Sequence, residues 1–225
     1  MIFSETQKRL IKDASEFLGE SEEYVIERIK NIGDSAIEDW NNKKSIEDFY
    51  MTTDHYIFDL IKFCNPERLD NLLHPVKNFE NLKVLDYGGG IGIIAQILAE
   101  KNIVFYYDLP SMTQDFAKYV NRNFNVVFLD KEKVFTKKYD MIVCADVLEH
   151  VENPLELTRY FLYSLNKRGF FLTTGLNFSS GPHIPMHLTK NYEYFDDFMN
   201  MLYKECALIF YHSTQNESIY LWVKK

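Results

Sequence analysis

The feature that most constrains the fold of this chain is a glycine-rich turn between an apolar run and a helix-like segment. Residues 84–92 read Val-Leu-Asp-Tyr-Gly-Gly-Gly-Ile-Gly. Glycine permits the positive φ of a tight turn and lets a ligand lie directly against the backbone. The free N–H groups at the start of the following helix attract negatively charged or polar ligand atoms. The segment therefore predicts a strand, a turn and a helix, with a ligand site at the turn.

Strand-like and helix-like segments alternate from residue 82 onward. Short aliphatic and aromatic runs occur at residues 83–85, 103–107, 126–129, 141–144 and 170–173. Helix-length segments lie between them at residues 91–100, 112–123 and 154–165. This alternation is typical of a parallel sheet covered by helices on both faces. After a further helix at residues 192–202, two strand-like runs at residues 207–211 and 219–223 predict an antiparallel hairpin.

The first third of the chain has a different pattern. Its apolar residues recur at helical spacing and predict four or five helices. Ser21 and Ser45 stand where helix N-caps are expected, and Pro66 opens a short helix. We therefore expect an α/β fold with two parts: an N-terminal helical cap or lid over residues 1–80, and a Rossmann-like domain over residues 81–225. The second part has a mostly parallel seven-stranded sheet that ends in the C-terminal antiparallel hairpin.

The spacing of the glycines separates two ligand classes. A dinucleotide fingerprint that starts at Gly88 and Gly90 needs a glycine at position 93, which is Ile93. The third glycine is Gly92 instead, which gives D-x-G-x-G-x-G from Asp86. This pattern resembles motif I of the class I S-adenosylmethionine-dependent methyltransferases. Residues 146–151 read D-V-L-E-H-V and are similar to the fourth-strand motif of the family's small-molecule enzymes.

The resemblance implies S-adenosyl-L-methionine as the cofactor and S-adenosyl-L-homocysteine as the product. Asp86 and the glycine turn would hold the methionine part, Asp108 the ribose hydroxyls and Asp130 the adenine. Taken singly, these acids could also cap turns or end strands in solvent; together, at three strand ends, they favour a ligand site. The expected cofactor-binding residues are Asp86, Tyr87, Gly88, Gly89, Gly90, Asp108, Leu109, Leu129, Asp130, Ala145 and Asp146.

The resemblance also implies an acceptor pocket after the fifth strand, where His183 and His187 lie in a proline-containing loop. An imidazole there could take a proton from an acceptor hydroxyl, so both are candidate catalytic residues. The alternative is that they stiffen the loop. The expected substrate-binding residues are Tyr50, Tyr56, His150, His183 and His187. Aromatic residues at helical spacing more often belong to a helical core, which is the alternative for the two tyrosines.

A metal site is a further alternative. Asp146, Glu149 and His150 are spaced so that they share one helical face. They resemble the cation-binding set of ubiquinone-pathway O-methyltransferases. Many relatives carry similar residues without a metal, and there they shape the cofactor loop. We therefore expect no metal.

The composition limits which classes of partner and which cellular compartment we expect. Lys+Arg number 25 and Asp+Glu 33, so the net charge is 25 − 33 = −8, which disfavours a nucleic-acid partner. Cys64, Cys144 and Cys206 form no metal or disulfide pattern, which favours a reducing compartment. No apolar run approaches the ~20 residues of a membrane span. We expect a cytoplasmic protein with a small-molecule acceptor, no membrane partner and a possible homodimer.

The favoured activity is methyl transfer from S-adenosylmethionine to an oxygen or nitrogen, less readily a carbon, of a small metabolite. Two alternatives remain at this point. One is an NAD-dependent oxidoreductase, which Ile93 and the C-terminal hairpin disfavour. The other is a catalytically inert cofactor-binding module that recruits a partner through the helical first third.

Overall fold

A seven-stranded sheet forms the centre of the computed structural model, which describes residues 2–175, 186–214 and 217–225. The strand order is β3-β2-β1-β4-β5-β7-β6. The strands are β1 Lys83–Tyr87, β2 Ile103–Tyr107, β3 Val126–Phe128, β4 Tyr139–Cys144, β5 Leu165–Thr173, β6 Cys206–Ser213 and β7 Ser218–Lys224. The pairs among β1 to β5 are parallel, and β7 is antiparallel to both β5 and β6. This confirms the Rossmann-like sheet and its C-terminal hairpin.

Ten α-helices accompany the sheet in the described part of the chain, and five of them precede β1. They are α1 Glu5–Leu18, α2 Glu22–Asn42, α3 Ile46–Thr52, α4 His55–Phe63, α5 Pro66–Leu73, α6 Ile93–Leu98, α7 Met112–Val120, α8 Lys131–Val134, α9 Pro154–Ser164 and α10 Phe195–Glu205. Both expected serine caps form: Ser21 accepts from the Tyr24 N–H at 3.2 Å, and Ser45 from the Asp48 N–H at 3.0 Å. Each satisfies an N–H that the first helical turn leaves unpaired.

The central strands are buried on both faces, as expected for a parallel sheet between two helical layers. Leu85 of β1 lies between Phe105 of β2 and Ile142 of β4 in the register of the sheet. Leu85 and Ile142 have no exposed surface. Because β1, β2 and β4 are parallel, their carboxyl ends meet at one edge, and the segments that follow them form a common surface there.

The N-terminal helices share a hydrophobic core with the helices that follow the glycine turn. Leu10 of α1 and Ile61 of α4 belong to the same buried cluster as Ile91 and Phe116. The helical third therefore packs against α6 and α7. Its division from the rest at residue 80 stays a prediction. Among the described residues, no helix has both the length and the apolar character that crossing a membrane requires.

Candidate active site

A cavity of about 520 Å³ lies at the carboxyl edge of β1, β2 and β4. Helices α3, α4 and α5, which precede β1 in the chain, cover this cavity. Tyr50 and Arg68 contribute to its wall from these helices, while Asp86, Asp108 and Asp146 contribute from the strand ends. Ligands of open α/β sheets bind at this edge, and small-molecule pockets have volumes of roughly 300–1,000 Å³.

The glycine turn forms the floor of the cavity. Gly88 and Gly90 adopt φ values of 68° and 55°, which side-chain-bearing residues rarely adopt. A Cβ at Gly88 would overlap the side chain of Val147, and one at Gly90 would lie 2.7 Å from Leu60. The N–H of Gly88 donates to the carbonyl of Tyr107 at 2.8 Å, which fixes the turn against β2. The missing side chains let Val147 and Leu60 pack against the turn, and the backbone of Gly88, Gly89 and Gly90 lines the cavity beside them.

Asp108 is the best-defined acceptor in the cavity. Its Oδ2 accepts from the Gly90 N–H at 2.7 Å, and its Oδ1 accepts from the Leu109 N–H at 2.7 Å. Burial raises the pKa of Asp108 to about 6, although these two N–H groups act in the opposite direction. The carboxylate is therefore ionised at neutral pH. One lone pair on each oxygen stays available to a ligand that offers two hydroxyls.

Asp86 lies beside it and is almost completely buried. Its Oδ2 has no hydrogen-bond partner among the described residues. The pKa of Asp86 is raised to about 7, mainly by burial and in part by the neighbouring Asp108 carboxylate. A buried carboxylate oxygen without a partner is costly, so this position fits a ligand that brings a donor or a positive charge.

Arg68 connects the helical cover to the edge of the sheet. From α5 it donates to a carboxylate oxygen of Asp146 and to Oε1 of Glu217, the latter at 2.9 Å. Asp146 has a φ of 54°, and its backbone N–H and side chain both bond the hydroxyl of Thr174. Arg68 thereby places a cation in the cavity wall.

A second wall contains Tyr50, Tyr56 and His150. The Tyr50 hydroxyl lies 2.9 Å from Nδ1 of His150, and the two tyrosine rings meet edge to face at 5.1 Å. The ring of His187 lies 4.9 Å from that of His150. The structure therefore brings together four of the five expected substrate-binding residues, and the fifth, His183, lies outside the described residues.

Glu149 adds a carboxyl group behind this wall. It is buried, which raises its pKa well above the ordinary value, and Asp146 adds to this shift. Glu149, His150 and His187 offer three potential ligand atoms within 4.8 Å of one another. Asp146, which the sequence grouped with Glu149 and His150, is bonded to Arg68 and Thr174 instead.

The other expected cofactor-binding residues divide into two groups. Tyr87, Gly89, Leu109 and Ala145 line the cavity along with Asp86, Asp108 and the remaining turn residues. Leu129 is buried in the main core, and Asp130 lies on the surface, where it pairs with Lys133 at 2.7 Å. β3 ends at Phe128, so Asp130 already belongs to the start of the next helix and finds its partner one turn on. Its contact with adenine stays a prediction.

Three charged residues that helices contribute to the cavity wall were not anticipated from the sequence: Arg68, Lys131 and Glu47. Lys131 and Glu47 form an ion pair at 3.1 Å that joins α8 to α3. Each of the three is a charged residue on an amphipathic or short helix, where solvent exposure is the usual outcome. No spacing or motif distinguishes them from other surface charges.

Comparisons with known proteins agree with this geometry. A family described as "Methyltransferase domain" matches residues 53–215. The Ubiquinone biosynthesis O-methyltransferase of Rickettsia canadensis (strain McKiel) is 26% identical over 151 residues, which cover 60% of this chain and 64% of that protein. The protein of the same name from Rickettsia bellii (strain OSU 85-389) is 28% identical over 130 residues, which cover 53% and 54%. The chain thus spans less than two thirds of the length of these curated relatives.

Solved structures share the fold. N-methyltransferase NodS from Bradyrhizobium japonicum WM9, in complex with S-adenosyl-L-homocysteine, aligns with a TM-score of 0.57 at 14% identity, covering 86% of this chain and 98% of that one. Magnesium protoporphyrin IX methyltransferase from Synechocystis PCC 6803, with bound S-adenosylmethionine, aligns at 0.54 and 16% identity, covering 87% and 94%. The family match spans most of the chain and confirms what the glycine turn and the strand-end acids predict: the chain belongs to the methyltransferase-domain family.

Proposed function

We propose that this protein transfers a methyl group from S-adenosylmethionine to a small-molecule acceptor. The observation that carries the proposal is the pairing of Asp108 with the glycine turn inside one covered cavity. Asp108 has a free lone pair on each oxygen, which suits the two adjacent hydroxyls of a ribose. The neighbouring Gly88–Gly90 backbone leaves room for the chain attached to that ribose.

The charged groups of the cavity match the methionine part of the cofactor. The unpartnered Oδ2 of Asp86 suits its ammonium group, and the guanidinium of Arg68 suits its carboxylate. When bound, S-adenosylmethionine supplies an electrophilic methyl group on a positively charged sulfur. The tasks of the protein are then to hold the acceptor in line and to exclude water.

The acceptor space lies against Tyr50, Tyr56 and His150. Polar groups on an aromatic wall favour a small acceptor that carries a hydroxyl or amine. The relatives named O-methyltransferases support oxygen. The net charge of −8 and the acidic side chains of Glu47 and Glu152 in the cavity wall disfavour a nucleic acid.

The placement of α3 and α5 supports a covering role for the helical residues 1–80. Cys64, Cys144 and Cys206 are free and buried, which is compatible with the cytoplasm. A homodimer stays a prediction, and sedimentation analysis at several protein concentrations would test it.

The experiment is calorimetric titration of the protein with S-adenosylmethionine and with S-adenosylhomocysteine. We expect a Kd in the micromolar range, about −8 kcal/mol, for at least the product. Incubation with labelled S-adenosylmethionine and a small-molecule cell extract should then yield a labelled product. If neither ligand binds, the proposal is wrong, and nicotinamide nucleotides become the next ligands to titrate. If both bind and no extract yields product, the inert binding module becomes the better explanation.

A further inference from the structure

We propose that Glu47, on α3 of the helical cover, selects the purine ring of the cofactor by accepting a hydrogen bond from the exocyclic amine of adenine. This inference rests on the proposed function and assigns the third part of the cofactor, after the ribose and the methionine part. The sequence pointed to Asp130 for this contact. The layout of the cavity wall points to Glu47 instead.

The strand order fixes the direction in which the cofactor lies. At this end of the sheet the strands follow one another as β3-β2-β1-β4. The proposed function places the ribose at Asp108, which follows β2, and the ammonium group of the methionine part at Asp86 of β1. The adenine and the methionine part are attached to opposite sides of the ribose. The adenine therefore lies on the far side of Asp108, towards the carboxyl end of β3.

Two charged side chains form the cavity wall at the end of β3. Asp130 comes first after the strand, but its side chain is 70% exposed and pairs with Lys133, and it is not among the described residues that line the cavity. The next residue, Lys131, does line the cavity, and so does Glu47. Their side chains form an ion pair at 3.1 Å, which holds a carboxylate of the cover at the end of β3.

The electrostatics of Tyr107 support this position of Glu47. Tyr107 is the last residue of β2 and lines the cavity. Burial is the main reason that its pKa is raised to about 12, and the carboxylates of Asp108 and Glu47 contribute to the shift. Glu47 and Asp108 therefore act on the same strand end. The base of a ribose held at Asp108 then lies between Asp108 and the pair of Glu47 and Lys131.

This ion pair keeps hydrogen-bonding capacity for a ligand. Among the hydrogen bonds of the described residues, Oε1 of Glu47 accepts from Nζ of Lys131, and Oε2 takes part in none. Oε2 can therefore accept from a ligand, and the Lys131 ammonium has further N–H groups to donate. One edge of adenine carries an amine donor beside a ring-nitrogen acceptor. A carboxylate beside an ammonium is the complement of that edge, and Leu109 and Ile46 add apolar surface to the same wall.

An ionised carboxylate distinguishes adenine from a 6-oxopurine because it has no hydrogen to donate. In hypoxanthine a carbonyl oxygen replaces the amine, so two acceptors face each other. The ribose at Asp108 fixes the base, and position 6 of either purine therefore lies at the same side chain. Loss of such a base contact corresponds to about a 5- to 150-fold change in affinity. The helical cover thus contributes to the choice of cofactor as well as to the exclusion of water.

Titration calorimetry with S-adenosylhomocysteine and S-inosylhomocysteine tests this inference, because the second ligand carries a carbonyl in place of the purine amine. We expect the wild-type protein to prefer S-adenosylhomocysteine by about 5- to 150-fold. Glu47→Gln introduces an amide of similar shape, which can accept from the amine or donate to the carbonyl. The variant should bind S-inosylhomocysteine more tightly than the wild type does, and its preference should fall by at least about fivefold. Misfolding cannot produce such a gain of binding.

Glu5→Gln is the matched control. Glu5 also lies in the first turn of a helix and pairs with a lysine, Lys8, at 2.7 Å, but it is not among the described residues that line the cavity. This variant should change neither affinity. An unchanged preference in Glu47→Gln, or equal binding of both ligands by the wild type, would overturn the inference while the proposed function stands. Loss of the preference in Asp130→Asn but not in Glu47→Gln would overturn it in favour of Asp130. If the wild type binds neither ligand, the proposed function is wrong and the inference fails with it.

Discussion

Replacement of Asp108 with asparagine probes the cavity at its best-defined group. In the wild-type protein each carboxylate oxygen accepts one backbone N–H at 2.7 Å, from Gly90 and from Leu109. Each oxygen then has a lone pair left for one ribose hydroxyl. Asparagine offers a single oxygen, and its NH₂ group must face one of the two backbone donors. One backbone bond and one ligand bond are therefore lost.

The two losses appear in different measurements. A hydrogen bond to a charged group contributes about 1.5–3 kcal/mol. Loss of one such bond to the ribose should weaken S-adenosylhomocysteine binding by about 10- to 150-fold, since 1.4 kcal/mol corresponds to a factor of ten. The backbone N–H left without an acceptor affects the free protein as well. In the free protein this cost is opposed by the removal of a buried charge whose pKa is raised to about 6, so the free energy of unfolding at alkaline pH should change little.

Titration calorimetry measures the first effect and chemical denaturation the second. Both should be made at mildly alkaline pH, because Asp108, whose pKa is about 6, is then ionised. Asp115→Asn on α7 is the matched control: that side chain is 61% exposed and pairs only with Lys118 among the salt bridges of the described residues. The control should change neither quantity. If Asp108→Asn bound S-adenosylhomocysteine within about twofold of the wild type, the ribose could not lie at Asp108.

Three further predictions use other parts of the molecule. Arg68→Met leaves the Asp146 and Glu217 carboxylates without their shared cation, so it should lower the free energy of unfolding by about 1–3 kcal/mol and weaken S-adenosylhomocysteine binding. Arg122→Met, at an exposed site, should do neither. Equal effects of the two variants on binding, measured by calorimetry, would contradict the role of Arg68. Gly88→Ala should lower the melting temperature because its Cβ would overlap Val147 at a positive φ. Gly33→Ala, in open space within α2, should instead raise the free energy of unfolding by about 0.5–1 kcal/mol. An unchanged melting temperature in Gly88→Ala would refute the conformation of the turn at Gly88. The pKa values of Asp86, about 7, and Asp108, about 6, lie above the ordinary 3.8. The stability that their protonation contributes is therefore present below about pH 4 and is lost as pH rises through 6 to 7. Denaturation curves should show a smaller loss of stability over this window in Asp108→Asn, and a loss equal to that of the wild type would contradict the raised pKa of Asp108.

Local patterns were sufficient for much of the fold. The strand predicted at residues 103–107 is β2 with the same bounds, and the predicted C-terminal hairpin is formed by β6 and β7. A continuous apolar run between turn residues indicates a strand that is buried on both faces. Such strands are typical of the centre of a parallel sheet. Helix α8 was missed because its four residues are too few to show a period. The helix predicted at residues 192–202 begins at Phe195, after a 3₁₀ turn over Thr189–Tyr194.

The sequence by itself determined the individual strands, the glycine turn and the placement of Asp86 and Asp108 at strand ends, because each depends on neighbours within a few residues. Only the tertiary structure decided what covers the cavity. Arg68 reaches Asp146 across 78 residues, and Tyr50 reaches His150 across 100. These contacts depend on how α3 and α5 pack against the edge of the sheet, which no local spacing encodes. The same packing distinguishes Tyr50 and Tyr56, which line the cavity, from Trp40 and Phe49, which are buried beside them.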